Sequence, residues 1–98
     1  MLIMLVGDVK DKIVEFQNKN IKPDVIVVDP PRKGLDEKSI EYIINFRPDK
    51  IGYVSCNPST LVRDLKILSE YYDIISIAPV DMFPHTSHIE CLSILKLR

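Results

Sequence analysis

Three unbroken β-favouring apolar runs, Leu2–Val6, residues 25–28 and residues 51–54, are each followed by a stretch whose apolar residues recur at helical spacing. Unbroken rather than alternating runs indicate strands covered on both faces, the pattern of a parallel sheet. Asp8 can cap a first helix over residues 9–18, with Asp11 in the capping-box position and Val9, Ile13 and Phe16 as its stripe. Asp36 can cap a second helix to about residue 45, with Ile40, Ile43 and Ile44 facing inward. Asn57 and Pro58 suit the N-cap and first position of a third, to about residue 71, with Leu61, Leu65 and Leu68 inward. Residues 74–80 and 89–97 read as two more strands, and Pro79 puts the former at a sheet edge. The order is βαβαβαββ. Repeated β-α-β spacing implies parallel strands with right-handed crossovers. The loop 81–88 is too short for a crossover helix, so the last two strands should be antiparallel.

Ninety-eight residues, 46% of them hydrophobic, specify one globular domain with a modest core. A formal net charge of −1 gives no electrostatic footprint for nucleic acid, so any such binding needs a local patch or a part outside these residues. Two cysteines are no disulfide framework and fit reduced thiols in a cytoplasmic protein. The apolar start, residues 1–6, is far shorter than the roughly 20 residues of a membrane span, and no signal peptide is visible. No membrane partner is expected.

Cys56 stands where a strand hands over to a helix, which is where ligands bind in open α/β sheets. The positive end of the helix dipole favours a thiolate there, and an inert buried thiol is the competing reading. Asp29, Pro30, Pro31, Arg32, Lys33 and Gly34 leave the second strand as a stiff loop, because two prolines remove two donors and fix two φ angles. Glu90 begins the final strand at the same rim. A thiol and a carboxylate facing one crevice suit covalent catalysis with proton transfer, although Glu90 also reads as a solvated strand-end acid. Asp8 reads as a helix cap or as a ligand contact. His85, His88 and Cys91 lack the geometry of common zinc motifs, and no metal site is assigned. No glycine-rich phosphate loop is present.

The segments VVDPPRKG (27–34), YVSCNP (53–58), DMFPHT (81–86) and HIEC (88–91) occur in order, and together they resemble the RNA (uracil-5-)-methyltransferase family. The resemblance covers essentially the whole chain. It implies the C-terminal half of a Rossmann-like S-adenosylmethionine-dependent methyltransferase fold, mostly parallel with an antiparallel last strand. It implies methylation of carbon 5 of a uridine in ribosomal or transfer RNA, ribosomal RNA being the first candidate. By the same resemblance Cys56 is the nucleophile that adds to carbon 6, and Glu90 the base that removes the carbon 5 proton. Asp29 and, on spacing alone, Asp8 contact the cofactor, S-adenosyl-L-methionine. Arg32, with Pro30 and Pro31, positions the substrate or the loop.

Relatives carry an N-terminal RNA-binding domain and a first half of the sheet with the main cofactor loop. Residues 1–98 are therefore expected to be a partial catalytic domain, inactive alone. Two rivals stand beside this reading: a non-catalytic α/β interaction module, and a thiol or metal hydrolase using Cys56 with His85 or His88. In complete family members two strands separate the first strand from the second. Here the first is expected to close directly on the second, giving the order Leu2, Val25, Ile51, final strand, Ile74, with a homo-oligomer a further expectation.

Overall fold

The computed structural model describes residues 1–7, 10–80 and 90–98. Its elements are β1 (Leu2–Val6), α1 (Lys10–Asn18), β2 (Val25–Asp29), α2 (Glu37–Phe46), β3 (Lys50–Ser55), α3 (Pro58–Leu68), β4 (Tyr72–Val80) and β5 (Glu90–Leu97). The five strands form one sheet in the order β1-β2-β3-β5-β4. β1 pairs with β2 and β2 with β3 in parallel, while β5 runs antiparallel to both β3 and β4. Four strands thus point one way and the last points back, as the spacing implies. Direct closure of β1 on β2 is found, from Leu2 against Val25 to Val6 against Asp29. Pro79 lies on the edge strand β4, as expected.

Helix ends follow local chemistry. Asp36 caps α2 by accepting a 2.7 Å bond from the Ser39 amide. Asn57 caps α3 by accepting from the Ser59 amide, with Pro58 at the start of the helix. Arg47 closes α2 in the left-handed region, at φ 49°, with its amide on the Ile43 carbonyl. Its guanidinium lies 5.7 Å from the centroid of the Tyr71 ring. The third helix ends with its leucine stripe, at Leu68, rather than at about residue 71. After Leu68 the amides of Glu70 and Tyr71 bond back three residues, to Ile67 and Leu68, and the chain leaves as β4 from Tyr72.

The sheet is covered differently from the expectation. Three right-handed crossovers, all stepping the same way along the sheet, place α1, α2 and α3 on one face. Ile13, Ile40, Ile43, Leu61, Leu65 and Leu68 pack there in one core with Leu5, Ile26, Val28, Ile51, Tyr53 and Leu95. The other face carries none of these helices. Leu2, Met4 and Val6 are 63%, 58% and 68% exposed on it, so β1 is not a strand buried on both faces. Along that open face Val25, Val27, Leu92 and Ile94 line a shallow apolar depression of about 270 Å³. The Ser93 hydroxyl, buried on the helical face opposite Tyr53, has no hydrogen-bond partner among the described residues. Such an orphan costs about 1–3 kcal/mol.

Tyr72 is fully buried and its hydroxyl donates to the Pro48 carbonyl at 2.7 Å. Burial pushes its phenol from the ordinary 10.0 up to about 12. The folded state therefore favours the neutral phenol. That contribution is whole below pH 10 and is lost as pH rises through about 12. Urea midpoints measured between pH 9 and 12 should fall with pH, and Tyr72→Phe should flatten part of that fall. An unchanged slope in the variant would contradict the assignment.

Candidate active site

The carboxyl ends of β1, β2 and β3 and the start of β5 meet at one rim of the sheet. Asp29 ends β2 and is half-buried, and Pro30 after it is buried. The Asp29 carbonyl accepts from the Gly7 amide at 2.8 Å, which ties the ends of β1 and β2 together. The Asp29 carboxylate forms no hydrogen bond or ion pair with the described residues. Pro31, Arg32 and Lys33 are exposed.

Cys56 lies one residue beyond β3 and is exposed, whereas Cys91 is half-buried within β5. Antiparallel pairing steps from Val54–Leu92 to Ser55–Cys91 and ends there, leaving Cys56 and Glu90 as the next residues on the two adjacent strands. Glu90 is half-buried and pairs on its other side with Val80. Strand alternation puts Asp29, Val54 and Glu90 on the open face. Cys91 belongs to the opposite, helical face. Three of the residues singled out in the sequence, Asp29, Cys56 and Glu90, thus lie at one rim, with Asp29 and Glu90 on the open face. Asp8, His85 and His88 lie outside the described residues.

The turn at Cys56 is fixed by its neighbours. The Ser55 hydroxyl donates to the Asn57 carbonyl at 3.0 Å and accepts from the Asn57 amide at 3.1 Å. Asn57 does two jobs. Its side-chain oxygen caps α3, and its side-chain nitrogen donates to the Arg32 carbonyl at 3.0 Å. The loop after Asp29 is thereby attached to the helix after Cys56.

Further attachments come from residues that sequence reasoning passed over. The Thr60 hydroxyl also donates to the Arg32 carbonyl, at 3.0 Å. Arg63 donates from Nη2 to the carbonyls of Lys33 and Leu35, at 2.9 and 3.1 Å. The Asp64 carboxylate, 0% exposed, accepts from the Leu35 amide at 2.9 Å, from the Tyr53 hydroxyl and from Arg63 Nε at 3.0 Å. Burial, then the bond to Asp64, pushes the Tyr53 phenol far above its ordinary range. The available signal was polar: Asn57, Thr60, Arg63 and Asp64 recur at helical spacing beside the apolar stripe of Leu61, Leu65 and Leu68.

Gly34 makes the close approach possible. Its φ is +81°, and a Cβ there would lie 2.6 Å from Arg63 Nη2 and 2.8 Å from Asp64 Oδ2.

A largely parallel α/β sheet with helical crossovers between its strands defines the class, a Rossmann-like fold. A sequence model of the tRNA (uracil-5-)-methyltransferase family matches residues 10–98, and the chain belongs to that family. An uncharacterised RNA methyltransferase of Bacillus cereus is 50% identical over 93 residues, covering 94% of this chain and 20% of the relative. One from Staphylococcus epidermidis is 49% identical over 88 residues, covering 90% of this chain and 19% of the relative. The chain therefore spans about a fifth of the length of these relatives. The crystal structure of Pyrococcus abyssi tRNA (uracil-54, C5)-methyltransferase in complex with S-adenosyl-L-homocysteine superposes with a TM-score of 0.68 at 28% identity. That match covers 95% of this chain and 33% of the archaeal one. No helix among the described residues is long and apolar enough to cross a membrane.

Gly34→Ala should destabilise the fold by about 1–3 kcal/mol through backbone strain, and by more through displacement of Arg63. Gly7→Ala is the control, since Gly7 has φ +77° but nothing within 4 Å of the added Cβ. Urea denaturation should rank Gly34→Ala clearly below Gly7→Ala. Equal stability would show that the contact at Gly34 is slack.

Proposed function

We propose that this chain carries the nucleophile and base of an RNA uracil-5-methyltransferase, and forms the C-terminal part of a catalytic domain that is completed outside these residues. The observation that supports the reading is the β3–β5 register, whose last pair, Ser55–Cys91, leaves Cys56 and Glu90 as the next residues on adjacent strands at the rim where Asp29 ends β2. Carbon 5 of uracil is a poor nucleophile until a thiolate adds to carbon 6. In this reading the Cys56 sulfur forms a bond to carbon 6, and the electron pair of the 5,6 double bond moves toward the carbonyl, leaving carbon 5 electron-rich. Carbon 5 then takes a methyl group. Glu90 removes the proton that carbon 5 still carries, the double bond reforms, and the sulfur–carbon bond breaks to release the thiolate.

The methyl group comes as an electrophile from S-adenosyl-L-methionine when that cofactor is bound. The rim fits such a ligand on one side, because the Asp29 carboxylate is half-buried and unengaged among the described residues and can accept from an amino or hydroxyl group. Asp8 is the second proposed contact. Arg32, Pro30 and Pro31 shape and stiffen the wall between Asp29 and Cys56. The Pyrococcus abyssi relative, crystallised with S-adenosyl-L-homocysteine, supports this choice of cofactor. The substrate is a uridine of ribosomal or transfer RNA. The near-zero charge of these residues supports an RNA-gripping surface located elsewhere in the active enzyme, and isolated residues 1–98 are expected to be inactive.

The test is a chimera in which residues 1–98 replace the matching segment of the Bacillus cereus relative. Cys56→Ala should abolish methyl transfer to RNA. Glu90→Gln should accumulate a covalent RNA–protein adduct, because the proton stays and the thiolate cannot leave. Undiminished turnover in Cys56→Ala would end the nucleophile assignment. Normal turnover without trapped adduct in Glu90→Gln would end that of the base.

A further inference from the structure

We infer that Thr60, Arg63 and Asp64 form a clamp on α3 that fixes the backbone of residues 32–35 relative to Cys56, making them positioning residues of the proposed methyl-transfer site. The inference deepens the methyltransferase reading and rests on it for its functional part. The clamp itself is read from geometry. Four polar side chains of one helical face, Asn57, Thr60, Arg63 and Asp64, reach the backbone of the loop that leaves Asp29. The Arg32 carbonyl is held twice, by Asn57 and Thr60. The Lys33 carbonyl is held by Arg63, and Leu35 by Arg63 at its carbonyl and Asp64 at its amide. The same helix begins two residues after Cys56, so its position sets both the thiol and the loop.

The charge arrangement explains why this clamp is stiff. The Asp64 carboxylate is removed from water, and both its oxygens are engaged: Oδ2 by Tyr53 and Leu35, Oδ1 by Arg63. Releasing any donor exposes part of a buried charge, which is expensive. The Arg63 guanidinium is planar, so one group meets the Asp64 carboxylate and two carbonyls at fixed angles. Tyr53 adds a link from within β3, the strand that delivers Cys56. Moving the loop therefore requires breaking charge-assisted bonds rather than bending a hinge.

Three variants test this. Arg63→Ala removes the bonds to Lys33 and Leu35 together with one donor to the Asp64 carboxylate, from a side chain that is 52% exposed. Thr60→Val keeps the shape and loses one bond, and Thr60→Ser should restore it. Hydrogen exchange on the 98-residue chain should show amides of residues 33–35 exchanging about tenfold faster or more in Arg63→Ala, with β2 and β3 unchanged. In the chimera, Arg63→Ala should lower kcat by about 100-fold, as misplacement of reacting groups does, with the equilibrium Kd for RNA unchanged. Thr60→Val should show the same split more weakly, and Thr60→Ser should recover kcat. Unchanged exchange in residues 33–35 would overturn the clamp. Faster exchange with undiminished kcat would overturn its positioning role. A parent chimera that transfers no methyl group would instead count against the proposed function, while exchange still decides the clamp.

Discussion

The buried carboxylate of Asp64 is the constraint on which the rim of this molecule depends. A carboxylate taken out of water is tolerated only where donors replace its hydration. Here a strand supplies the Tyr53 hydroxyl, a loop supplies the Leu35 amide and the helix supplies Arg63. Each donor belongs to a different part of the fold, so satisfying one charge fixes the mutual position of β3, the loop after β2, and α3. The surrounding apolar core makes that solution stiff. Leu61, Leu65 and Leu68 hold α3 on the sheet, and Tyr53 reaches Asp64 from a fully buried position in β3.

Above this anchored layer stand the groups proposed for chemistry. Cys56 is exposed, and Asp29 and Glu90 are half-buried, at the strand-end rim. Rigid strands and a capped helix beneath, with reactive side chains at their ends, give orientation without closing the site to a large substrate. The register ends at Ser55–Cys91, so Cys56 and Glu90 are the next residues along adjacent strands at this rim. The division between the two cysteines follows from the same pairing. Cys91 sits one residue from Glu90, yet strand alternation turns it to the helical face, away from the rim.

Much of this was legible in the chain. The apolar runs gave β1, β2 and β3, the caps at Asp36 and Asn57 marked two helix starts, and Pro79 marked the edge strand. The closing of β1 on β2 followed from the need to pair an otherwise bare edge. What periodicity could not give was the cover on each face. An unbroken apolar run looks the same whether helices lie on both sides or one, and only the common direction of the three crossovers leaves Leu2, Met4 and Val6 exposed. The end of α3 was set about three residues too late, because after Leu68 the chain tightens into turns that bond back three residues before β4 begins. The clamp went unread because Thr60, Arg63 and Asp64 look like a solvated helix face until the loop that they hold is in place. Asp29, Cys56 and Glu90 were legible by type and motif, and the fold adds that they share a rim.

The most direct measurement of the central claim is a chemical trap. RNA containing 5-fluorouridine at the target position presents carbon 5 without a removable proton, so the covalent step can proceed and release cannot follow. Incubating it with the Bacillus cereus chimera and S-adenosyl-L-methionine, then mapping the RNA-linked peptide by mass spectrometry, identifies the attacking residue. The expected result is a stable adduct on the peptide containing Cys56, with Cys91 unmodified. An adduct at Cys91, or methylation of ordinary RNA with no adduct from the fluorinated one, would contradict the assignment of Cys56 as the nucleophile.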